Sequence, residues 1–172
     1  MNFIARILAF FRPVSGAELP EFPEELATES RGLLRLNVSS LLSGRQRVAV
    51  FCHYGSEEDA NGLTVAFHPA PSEPADPVRW QRIFDRRFRE YETRWKAILI
   101  AQADAIAPRV AGWLTSDTSL DALFDSLRLK RLLISTDESV TLRFATAPLL
   151  KFHDLGVTFD PRDAVIDVEI EG

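Results

Sequence analysis

The residues in this sequence best suited to acyl-transfer or metal chemistry are Cys52-His53, His68 and His153-Asp154. A thiol or hydroxyl nucleophile needs a base within hydrogen-bond reach and a third group to orient that base. Cys52 and His53 are neighbours in a run that reads as a strand, so their side chains point to opposite faces and cannot form that pair. Cys52 is expected to be a small core residue. His153, followed by Asp154 just before a strand, is expected to be a turn histidine with its ring bonded to backbone. Its catalytic alternative is a hydrolase-like centre of His153 and Asp154, which lacks a convincing nucleophile.

Metal and cofactor chemistry have less to work with. There is no His-Glu-x-x-His and no paired cysteine, and Glu57-Glu58-Asp59 lacks the alternating oxygen ligands and central glycine of a calcium loop. Gly44, Gly55 and Gly62 stand singly in turns, not in a phosphate-binding loop. No cofactor, metal or catalytic residue is assigned. The charged feature with geometry is a set of arginines at three- and four-residue steps, Arg79, Arg82, Arg86 and Arg89, with Arg87, Arg94 and Lys96 nearby and Asp85, Glu90 and Glu92 opposing. These four arginines and His153 are the candidate binding residues. The basic face could hold phosphates or an acidic partner. It also reads simply as the solvated side of a helix, with pairs such as Arg86 and Glu90.

That helix is the element that positions everything else. Over Pro77–Ala107, Trp80, Phe84, Phe88, Tyr91, Trp95, Ile98, Leu99 and Ile106 recur on one side at ~3.6 residues per turn. Asp76 and Pro77 suit its start, Pro108 its stop, and a break within it is compatible with the pattern. The stretch Val110–Leu114 reads as a shorter helix, and Ser119–Leu127 as another with Leu120, Leu123, Phe124 and Leu127 inward. Period-two alternation marks strands at Leu33–Ser39, Arg47–Tyr54, Leu63–His68, Arg131–Ser135, Ser139–Ala145, Leu155–Phe159 and Ala164–Ile170. In the last of these, Val165, Asp167 and Glu169 should face one way and Ile166, Val168 and Ile170 the other.

If Tyr54 pairs with Leu63, then Val48, Val50, Cys52, Leu63, Val65 and Phe67 share the core face. His53 and His68 then lie together on the other face, four positions apart. That is on the order of 13 Å, too far to share one metal ion. Strands, then helices, then strands give an α+β domain, a mostly antiparallel sheet with the long helix and shorter helices on one face. Residues 31–172 form that domain. Residues 1–30 are an N-terminal helix, Asn2–Phe11, and a Pro/Glu-rich arm.

Composition agrees with a single soluble core. The 172 residues are 46% apolar and 26% charged, with twelve phenylalanines against two tyrosines. A net charge of -5 disfavours a surface built as a whole for nucleic acid. One cysteine fits a reducing compartment, so a cytoplasmic protein is expected. The segment Asn2–Phe11 is a poor secretory signal and too short to span a bilayer, which takes ~20 residues. Its apolar residues need a surface: this molecule, a protein partner, a second copy of the chain, or a membrane surface.

The C-terminal half, with Leu132-Leu133-Ile134-Ser135, Val140-Thr141-Leu142-Arg143-Phe144 and Phe152-His153-Asp154-Leu155-Gly156-Val157, resembles a loose group of uncharacterised bacterial domains that carry a Trp-containing helix, here Tyr91 to Trp95, ahead of the sheet. The resemblance implies a bacterial protein with an accessory or immunity-like role, and transfers no functional residue. Together these features lead us to expect a non-catalytic, protein-binding domain, with the hydrolase-like centre and nucleic-acid binding by the arginine face as alternatives.

Overall fold

Alternating apolar residues become strands here because each strand can bury one face under a helix rich in aromatic side chains. The structure, a computed structural model, describes residues 12–13, 22–43, 46–70, 73–146 and 148–171, and for 12–13, 38–43 and 46–52 the backbone alone. The helix expected at Asn2–Phe11 lies outside these residues. The strands are β1 (Arg12–Pro13), β2 (Glu25–Thr28), β3 (Gly32–Ser43), β4 (Gln46–Gly55), β5 (Thr64–His68), β6 (Arg128–Ser135), β7 (Val140–Ala145), β8 (Asp154–Phe159) and β9 (Val165–Glu171). They form one sheet in the order β2 to β9, with β1 pairing to β4 off that path. All pairs are antiparallel except β5 with β6. A parallel pair needs a long crossover. This one holds all three helices found among the described residues: α1 (Pro77–Ala101), α2 (Ala103–Val110) and α3 (Leu120–Ser126). The α+β class follows, with a mostly antiparallel sheet.

Asp76 caps α1 by accepting from the Arg79 N–H at 3.0 Å, and Pro77 sits at the start, where its missing N–H is harmless. Trp80, Phe84, Phe88, Tyr91 and Leu99 are buried against Leu34, Tyr54, Phe67, Leu132, Leu142, Phe144 and Phe159 of the sheet. Trp95 is half-buried, with its ring 5.2 Å from that of Phe144. The helix breaks at Gln102, and Pro108 lies inside α2 instead of ending it. Proline removes the bond back to the preceding turn, so the chain leaves the helix two residues later, at Val110. The helix expected over Val110–Leu114 is instead a turn, closed by the Trp113 N–H on the Val110 carbonyl at 2.9 Å.

Three further expectations are corrected. Residues Glu25–Thr28, read as part of an extended arm, form β2, with Leu26 and Thr28 inward and Glu25 and Ala27 outward. In β9 a bulge pairs Phe159 with Val165 but Thr158 with Asp167. Val165 therefore joins Val168 and Ile170 against the core, while Ile166 is exposed. The hairpin of β4 and β5 pairs Tyr54 with Phe67, not with Leu63, a shift of four residues that leaves Val65 and Phe67 on the core face as expected.

Asp85 was expected among the acids on the charged face of the helix, yet it is buried. It accepts from the Glu29 N–H at 3.0 Å, the Ser30 N–H at 2.9 Å and the Ser30 hydroxyl at 2.6 Å, and so ties the β2–β3 turn to α1. Burial pushes its pKa up, but these bonds outweigh it and hold the carboxyl below its ordinary value. Asp85→Ala should strand the part-buried Glu29 and Ser30 N–H groups and cost about 2–3 kcal/mol in a denaturant melt. A loss under ~0.5 kcal/mol would mean the turn finds water without cost.

Candidate functional site

The four-residue shift in the β4–β5 hairpin changes the chemistry of the sheet face away from the helices. His53 and His68, expected far apart, meet there with ring centroids 5.6 Å apart, which removes the distance argument against their acting together. The shift arises in the loop. Asp59 Oδ1 accepts from the N–H groups of Asn61 and Leu63 at 2.8 and 3.0 Å, so Leu63 belongs to the turn and pairing starts beyond it. Burial, then His53, Arg131 and Arg143, pushes the His68 pKa down to about 3. Burial and Arg131 lower that of His53. Both rings are thus held neutral beside cationic side chains. Such a setting is unfavourable to a metal cation, and the described residues contain no group of three or more metal-ligating side chains. The side chain of Cys52 lies outside what the structure describes.

Across the same face, Arg143 reaches Glu171, and Glu169 at 3.6 Å. Burial and the neighbouring Asp167 push the Glu169 pKa up to about 7, against the pull of Arg143. Sequence reading missed Glu169 as anything but an outward strand residue, because its burial depends on which strand lies alongside.

The candidate arginines of α1 do not act as one free basic face. Arg79 pairs with Glu73 at 2.8 Å, Arg86 with Glu138, and Arg89 with Glu29 at 2.6 Å. Arg82 is exposed and has no ion-pair partner among the described residues. Arg87 faces inward and is buried, bonded to Glu90 at 2.6 Å and Asp163 at 2.9 Å, where the Tyr91 hydroxyl also donates to Asp163 at 2.8 Å. Glu73 and Glu90 are local, but Glu29 of the β2–β3 turn, Glu138 of the β6–β7 turn and Asp163 of the β8–β9 turn are distant in the chain, so long-range folding supplies counterions that sequence spacing along the helix does not show.

His153 is placed differently from expectation. Its Nδ1 is buried and has no hydrogen-bond partner among the described residues, so no described backbone group holds the ring. Its support is Trp113, edge-on at a centroid distance of 5.0 Å. Asp154 turns to Lys130 at 3.4 Å, and the histidine and aspartate side chains share no hydrogen bond. Next to His153, Lys151 and Phe152 adopt φ of 51° and 69°, the left-handed region, and Phe152 is 78% exposed while Trp113 is 41% exposed. The two loops are stitched together by the Thr115 N–H on the Leu149 carbonyl at 3.2 Å and by Lys151 Nζ on the Gly112 carbonyl at 3.2 Å. Neither Trp113 nor Phe152 was singled out from the sequence. The sequence pattern places Trp113 in a helix, and nothing in Leu150-Lys151-Phe152 signals a left-handed pair.

No protein-family model, curated protein or solved structure matches this chain. No described helix is long and apolar enough to cross a membrane.

Proposed function

We propose that this is a non-catalytic protein-binding module that docks through Phe152 and Trp113. One observation carries the reading: Phe152, a large apolar side chain, is held out in solvent on two successive left-handed, non-glycine residues. Each such residue costs on the order of 1 kcal/mol, and strain of this kind gathers where a surface has work to do. An exposed aromatic on a loop bonded to the loop of a second, part-exposed one that His153 supports is the composition of an interface anchor. The hydrolase-like alternative at His153 and Asp154 has less support, because the two side chains engage different partners. Nucleic-acid binding has less support too, because three of the four candidate arginines are paired. An accessory, immunity-like role in a bacterial cytoplasm, which the resemblance implies, is one form this function could take.

Phe152→Gly gives a test that separates function from folding. Relieving the left-handed strain should raise stability by about 0.5–1 kcal/mol. A partner recovered stoichiometrically by the parent protein should be lost by this variant and by Trp113→Ala, and kept by Arg82→Ala. Capture of the same partner at the same yield by the Phe152 variant would sink the reading.

A further inference from the structure

Strand β9 is the last in the sheet, and along its outer side the described residues supply one hydrogen bond, from the Val168 N–H to its own neighbour Asp167 Oδ1 at 3.0 Å. The remaining outward backbone groups of the strand are a template for another strand. Its two faces differ sharply. Val168 and Ile170 pack half-buried on the core, whereas Asp167, Glu169 and Glu171 share the opposite face. Arg143 reaches Glu171 and Glu169 of this row, and the Oε1 atom of Glu169 is buried with no donor among the described residues. The bulge at the start of β9 and the Asp167 cap blunt its first half, which leaves Glu169 to Glu171 as the part unpaired among the described residues.

A second copy of this chain is a poor occupant. Antiparallel self-pairing of β9 would set a row of carboxylates beside a like row, and like charges opposed across strands destabilise the pair. We propose that β9 accepts an extended peptide segment of a partner protein by strand addition, and that this segment alternates basic and apolar residues. Its backbone would pair with the outer edge of β9. Its apolar residues would extend the Val168 and Ile170 surface, and its lysines or arginines would meet Asp167, Glu169 and Glu171, with one donor for Glu169 Oε1. This surface is built from β9 alone and is independent of Phe152 and Trp113.

The probe is a fluorescein-labelled peptide, Lys-Val-Lys-Val-Lys-Val-Lys-Val, titrated with the full chain in low salt and followed by anisotropy. Saturable binding is expected, weakened roughly tenfold by N-methylating alternate residues of the peptide so that one edge loses its donors at unchanged charge. Glu169→Gln, shown to unfold in one cooperative transition like the parent, should weaken it several-fold, and Phe152→Gly should leave it unchanged. Equal binding of the N-methylated peptide, or of a peptide with glutamate in place of lysine, would overturn the proposal. So would a dimer in sedimentation that Glu169→Gln strengthens and the peptide does not disrupt, because β9 would then be occupied by a second copy.

Discussion

Trp80→Ala is expected to cost about 3–5 kcal/mol, enough to remove much of the stability of a domain this size. Trp80 is fully buried, and three elements close on its ring: Phe22 edge-on at 5.4 Å, Tyr54 of β4 at 5.9 Å and Phe67 of β5 at 6.0 Å. Deleting the indole would open a cavity between the first turn of α1 and the middle of the sheet. The surroundings cannot collapse into it easily, because Tyr54 is anchored by its hydroxyl on the Pro23 carbonyl at 2.8 Å. The indole Nε1 is itself buried without a hydrogen-bond partner among the described residues, so the ring contributes packing and no polar bond to them. Trp80→Phe should therefore lose far less, about 1–2 kcal/mol, since the volume lost is smaller and an unsatisfied donor is removed with it. Denaturant melts of the two variants check this. If Trp80→Phe is as damaging as Trp80→Ala, the indole N–H has a partner after all.

Trp80 also shows what in this fold could be read from sequence. The spacing of aromatic residues after Asp76-Pro77 located α1 and its inner face, since helix periodicity and capping are local properties. Strands β3 to β9 were legible for the same reason, and so was the core face of β5, because a shift of four residues preserves parity, whereas the bulge in β9 broke parity at Val165 and Ile166. What was not legible depended on contacts distant in sequence. The register of β4 against β5 is set by Asp59 bonding forward to Leu63, and a change there moved two histidines from separate positions into contact. Strand β2 was hidden in a stretch of glutamates and prolines, and was recognisable only by the alternation of Leu26 and Thr28 with their neighbours. Asp85 and Arg87 read as surface charges and are buried, each bonded to a loop more than fifty residues away in the chain. Of the candidate binding residues, the arginines were correctly seen as a periodic set. Their counterions could not be seen, because Glu29 and Glu138 reach them only after the sheet has formed.

The second large effect is expected on acidification. His68 has its pKa depressed to about 3 in the fold, against 6.5 for the free side chain, so the unfolded chain binds a proton there that the folded one refuses. Its contribution is present above pH 6.5 and is lost as the pH falls towards 3, at a little over 1 kcal/mol per unit and roughly 4–5 kcal/mol in all. His53, lowered in the same direction, adds to this loss. Glu169 works against both. Its pKa is raised from 4.5 to about 7, so the folded chain holds a proton that the unfolded one has released, and stability falls as the pH rises through that window. Between about pH 4.5 and 6.5 the opposing slopes of His68 and Glu169 nearly cancel, and stability should be close to level. Below pH 4.5 the histidines act without that offset and the domain should lose stability steeply. Glu169→Gln removes one side of the balance, so its stability should climb between pH 4.5 and 6.5 where the parent is flat. His68→Phe removes the other, and the slope in that interval should turn downward with rising pH. Urea melts at half-unit pH steps for the three proteins provide the comparison. Parallel curves for parent and His68→Phe would show that the acid response belongs to other carboxylates, such as Asp59 and Asp85, and not to the histidine pair that the hairpin register brings together.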